Sequence, residues 1–143
     1  MSTPDLRAVP LPLTMATNLL ALPFLHIEIQ TANNEDWIDS IVYLVNSTDP
    51  SAPQLDIRGI DFNMEVRRAP PNHEVVIRGS MQNGMLSVGD PPNFGYLLIR
   101  VPHESVKTLV EANYVADIVG YDGQVTRRII ELAIEMVEGI TRP

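Results

Sequence analysis

The residues able to carry chemistry in this 143-residue chain are few in kind and poorly spaced for it. Three histidines, His26, His73 and His103, stand far apart, and none makes the His-x-x-x-His pair that puts two ligands on one helix face. Cysteine is absent, which excludes disulfides, thiolate zinc sites and a cysteine nucleophile. His103 follows Pro102 at a helix start, where capping or exposure explains it. Ser40, Ser47, Ser51, Ser80, Ser87 and Ser105 lack the Gly-x-Ser-x-Gly context of a nucleophile elbow. A glycosidase needs two carboxylates about 5 to 9 Å apart across a substrate bond. Asp61 and Glu65, and Glu131 and Glu135, instead read as the solvated face of alternating strands. The eight glycines are spread over turns and form no phosphate loop. No catalytic residue, cofactor site or metal site is expected.

Aromatic residues offer one further chemistry, stacking on a sugar. Trp37 sits among Asn33, Asn34, Glu35, Asp36 and Asp39, a polar setting that suits partial exposure. A lone Trp in a small β domain is more often core. Tyr114 is a separate case, because a Tyr near the start of the penultimate strand of an immunoglobulin-like sandwich bonds back to the preceding turn. Asn46-Ser47-Thr48 matches a glycosylation sequon, which matters only in a eukaryotic secretory protein. The net charge of −8 argues against a phosphate-backbone partner. Nine cations are Arg and only Lys107 is Lys. That bias fits multi-donor pairing at interfaces, or simply genomic base composition.

The elements that would position these residues are mostly strands. Asn113 to Arg142 reads as one long hairpin turning at Asp122-Gly123. On its returning arm Ile130, Leu132, Ile134 and Met136 share one face, opposite Glu131, Ala133 and Glu135. Ile60–Arg67 alternates strictly, and Phe24–Gln30 sets Leu25, Ile27 and Ile29 against Phe24, His26 and Glu28. Trp37–Asn46 is apolar on both faces near its end, as a central strand would be. Glu74–Gly79, Met85–Val88 after the Asn83-Gly84 turn, and Tyr96–Val101 complete the strands. Pro102–Ala112 is the one helical candidate, with Val106, Leu109 and Val110 on one stripe and Asn113 to end it. About seven strands and one short helix predict an all-β, antiparallel, immunoglobulin-like sandwich over 24–143.

Residues 1–23 precede it as an extended apolar arm. Four prolines argue against regular helix, while Leu11, Leu13, Met15, Leu19, Leu20 and Leu22 need somewhere to go. The arm lies on its own domain or on a neighbouring subunit; otherwise it is a first strand with a frayed end. Ala8–Leu25 carries no charge, but Pro10, Pro12 and Pro23 break it, so neither a membrane span nor a secretory signal is expected.

The tail hairpin carries Tyr114-x-x-Asp117-Ile118, Asp122-Gly123-x-Val125-Thr126-Arg127, Glu131-x-x-Ile134 and Gly139-Ile140-Thr141-Arg142. With the strand order upstream, it resembles the immunoglobulin-like N-terminal domains of upper baseplate proteins of tailed phages, over roughly Phe24 to Arg142. The chain departs from that pattern in its apolar arm, and in Ala112-Asn113 where a glycine-containing turn is usual. The resemblance implies a non-enzymatic virion component of the tail or baseplate, made in the host cytoplasm. It would be homo-oligomeric within a particle, with other virion proteins and its own copies as partners. On that reading Leu11, Leu13, Leu19 and Leu20 are the expected interface residues, with Arg127 and Arg128 pairing to neighbours. A capsid decoration protein is a variant of it. A carbohydrate-binding module for host attachment, using Trp37, is the alternative.

Overall fold

Alternation decides which side of each strand meets the core. The computed structural model describes residues 19–44, 53–70 and 73–139, and within them eight strands form two sheets. The strands are β1 (Leu25–Ala32), β2 (Trp37–Val42), β3 (Asp61–Arg68), β4 (Val75–Ser80), β5 (Leu86–Val88), β6 (Tyr96–Val101), β7 (Ala112–Tyr121) and β8 (Thr126–Val137). One sheet has five strands in the order β1-β8-β7-β3-β4, and the other has three, β2-β6-β5. Phe62, Met64 and Val66 of β3, Tyr114, Ala116 and Ile118 of β7, and Ile130, Leu132, Ile134 and Met136 of β8 are all buried. They face Trp37, Ile41, Leu86, Leu97, Ile99 and Val101 of the smaller sheet. The result is the expected all-β sandwich.

One pairing departs from the antiparallel expectation. β1 runs parallel to β8, with Leu25, Ile27 and Ile29 beside Ile130, Leu132 and Ile134. No turn joins these two strands, so hairpin geometry does not dictate their direction. Parallel register sets the two apolar rows on one face, while His26, Glu28 and Gln30 stay outside.

The β7–β8 hairpin forms as predicted around Asp122-Gly123, with Gly123 at φ +100°, a value that favours glycine. The Asp122 carboxylate accepts the N–H groups of Gln124 and Val125 at 2.9 and 2.8 Å. Within the ladder, Ile118 faces Ile130 but Val119 faces Arg128. Ile129 is therefore an extra residue, a bulge, and both Ile129 and Ile130 enter the core.

The helical candidate contracts to one turn, α1 (His103–Val106). So short a helix has little to offset its nucleation cost. Side chains take the carbonyls that would have continued it: Asn33 Nδ2 donates to Leu109 O at 3.0 Å and the Tyr114 hydroxyl to Val110 O at 2.9 Å. Val110 is exposed, and Asn113 lies within β7 rather than ending a helix. The Tyr114 bond is the corner expected at the start of the penultimate strand, and its ring is buried.

A second local lock holds the approach to β3. Asp56 is buried and takes both Nε and Nη2 of Arg58, at 2.9 and 2.6 Å, while the Arg58 guanidinium lies 3.7 Å from the centre of the Phe94 ring. The Arg58 bonds hold the Asp56 carboxyl below its ordinary range, against the opposing effect of burial.

Two measurements check these locks. Tyr114→Phe keeps the fold and loses about 1 kcal/mol in denaturant unfolding, the usual worth of one such bond. Asp56 has a lower pKa folded than unfolded, so its contribution is complete above an unfolded value near 4 and fades as pH falls below it. Asp56→Asn should therefore cost on the order of 1.5 kcal/mol at neutral pH, and the gap between the two thermal midpoints should close below about pH 4.

Candidate functional site

The bulge decides where the two adjacent arginines go. Beyond it Arg128 pairs with Val119 on the outer face and Arg127 with Gly120 on the inner one. Arg127 then reaches the segment before β1, where Leu19–Ala21 form a 3-10 turn. Its Nη1 donates to Leu19 O at 3.1 Å and to Leu22 O at 2.6 Å. Leu19 and Leu22 are 0% and 1% exposed, so they belong to the sandwich core although the expected boundary put them in the arm. Gly120 makes this possible, since a Cβ there would stand 2.9 Å from Leu19 Cδ1 and 3.0 Å from Ile60 Cγ2. Nearby, the Tyr43 hydroxyl is buried without a hydrogen-bond partner among the described residues. Burial pushes its pKa well up, with Arg127 acting the other way, so it stays neutral.

These positions revise the expected site residues. Leu19 does not face a neighbour: it is core. Leu20 is 61% exposed. Leu11 and Leu13 lie outside the described residues. Arg127 is committed to carbonyls of its own chain. Arg128 pairs with Asp117 at 2.9 Å and Glu131 at 3.5 Å, and its guanidinium lies 4.9 Å from the Phe24 ring centre. Trp37 is 2% exposed, and its ring N–H donates to Asp39 Oδ2 at 2.7 Å. It offers no stacking face, because the polar loop before it ends where β2 turns inward.

The two outer faces differ in chemistry. On the larger sheet, His26 meets Glu131 at 2.9 Å, Gln30 meets Glu135 at 3.1 Å, and Glu65 pairs with Arg67 and Arg78. This is the solvated charged face that alternation predicts. The smaller sheet turns Ile38, Ser40 and Val42 of β2 outward beside Arg100, Leu98 and Tyr96 of β6. Ile38 is 63% exposed. The apolar pattern on both faces of Trp37–Asn46 was the signal for this surface, but it suggested a central strand. β2 is in fact an edge strand, and its outward apolar side chains are uncovered among the described residues.

A polar concavity of about 580 Å³ beside α1 is lined by Asn33, His103, Lys107 and Glu111, among others. Asn33 is occupied on both sides, donating to Leu109 O and accepting from Gly139 N–H. Among the described residues no three His, Asp or Glu side chains gather as a metal site would need, and no helix is long and apolar enough to cross a membrane.

The two arginines should separate in a stability assay. Arg127→Met leaves two carbonyls of the turn without their charged donor and should lower the thermal midpoint by roughly 5 °C, about 2 kcal/mol, with faster thermolysin cleavage near Leu19–Leu22. Arg128→Met removes only surface pairs and should cost under about 1 kcal/mol. No protein-family model matches this chain, and none of the curated proteins compared with it matches either.

Proposed function

We propose that this chain is a non-enzymatic structural component of a tailed-phage virion, in the tail or baseplate, that works by docking to other virion proteins and to its own copies. The observation that carries the reading is the outer face of the smaller sheet. Ile38 and Val42, exposed on an edge strand, stand next to half-buried Leu98 and Tyr96, a surface suited to a protein neighbour rather than to water. Support also comes from the frame that presents it. The hairpin motifs resembling baseplate domains lie on β7 and β8, and Tyr114 makes the corner bond known from immunoglobulin-like sandwiches. A rigid two-sheet body with an apolar face suits a part that acts by repetition, since one surface serves every copy.

The reading is tested in particles. Mass spectrometry of purified virions from the source of this sequence should find the chain at a fixed stoichiometry. Ile38→Glu, placed opposite Arg100, should fold with a stability change within about 1 kcal/mol yet be depleted from particles at least tenfold. Virions that lack the chain, or that take up the variant as well as the unaltered protein, would overturn it.

A further inference from the structure

The sandwich is not closed between β1 and β2. β1 ends the larger sheet and β2 ends the smaller one, so each has a free edge among the described strands. Between them lies a groove of about 300 Å³ walled by Leu25, Ile27 and Ile29 with Ile41, Ile99 and Leu132. Asp39 is the one charged residue of the lining among the described residues, and its carboxylate accepts the Trp37 N–H. Such a slot has what an incoming strand needs: a row of free backbone groups on β1 and an apolar row beneath it.

Resting on the reading above, we propose that this slot receives residues Leu11–Met15 of a second copy of the chain. Leu11, Leu13 and Met15 are spaced by two, so an extended segment puts all three on one face. Ala8–Asn18 carries no charge, which matches the apolar walls. The prolines fit as well. Pro10 and Pro12 alternate with the apolar residues, so when Leu11, Leu13 and Met15 direct their N–H groups at β1, the prolines face away and no ladder bond is lost.

The anchor explains why the donor is another copy. Leu19 is held over Gly120 of β7, two strands from β1 in the sheet, and Leu22–Phe24 already occupy the way from there to β1. To fill its own slot, the chain must return across β8 within the three residues Ala16–Asn18, against the segment that Arg127 holds. A second copy's segment enters from outside with no reversal. Each step of extended chain covers about 3.3 Å, so the stretch from Leu11 to Leu19, if extended, is long enough to span to a second copy.

The absence of native cysteine makes the test direct. Two full-length copies with different tags are co-expressed, one carrying Ile27→Cys and the other Leu11→Cys, Leu13→Cys or Met15→Cys in turn, and then oxidised. At least one pairing should give a disulfide-linked dimer with both tags, and Glu28→Cys, on the outer face, should give none with any of them. In parallel, light scattering should find the unaltered chain at twice its single-chain mass or more. The triple variant Leu11→Ser, Leu13→Ser, Met15→Ser should run at single-chain mass. The proposal is overturned by an intrachain disulfide in a Leu13→Cys, Ile27→Cys double variant without mixed-tag dimer, by no disulfide in any pairing, or by equal masses. A chain found in virions that fails to cross-link sinks this inference alone. Cross-linking by a chain that virions lack sinks the virion reading instead.

Discussion

A single extra residue in β8, Ile129, governs the parity of everything between it and the hairpin turn. Side chains on a strand alternate with a period of two, so one inserted residue exchanges the faces of all that follow. Without the bulge, Arg127 would fall on the outer face with Glu131, and Arg128 on the inner face with Ile130. With it, Arg127 turns inward beside Gly120 and finds the carbonyls of Leu19 and Leu22. Arg128 turns outward to Asp117 and Glu131. Burying Leu19 and Leu22, each worth about 1.5–3 kcal/mol, depends on that exchange.

The unequal sheets are the second organising fact. Five strands face three, so the wider sheet extends past the narrower one, and the inner face of β1 is only half covered. The exposed side of the larger sheet is laced with charges. The exposed side of the smaller sheet, and the seam between the two free edges, are apolar. Hydrophobic surface left in those two places is the physical basis of the docking reading, since water gains most when such surface is covered.

Much of the strand plan was legible in the chain. The alternations at Ile60–Arg67, Leu25–Ile29 and Ile130–Met136, and the Asp122-Gly123 turn, all describe local periodicity that a sequence carries on its face. The Tyr114 corner was legible too, because the donor and acceptor are only four residues apart. The direction of β1 was not, since its partner lies 105 positions away and no turn links them. Nor was the end of α1, where Asn33 and Tyr114 take the carbonyls the helix would have used.

The functional residues divide along the same line. Sequence by itself settled the residue types, the lack of cysteine, the acidic balance, and which face each regular strand buries. Only the tertiary structure decided that adjacent Arg127 and Arg128 serve opposite faces, that Trp37 is core, that Leu19 is core while Leu20 is exposed, and that β2 is an edge. The reason is physical. Periodicity is a property of neighbouring residues, whereas burial, partner and edge depend on which distant strand arrives alongside, and a one-residue bulge is enough to invert the answer.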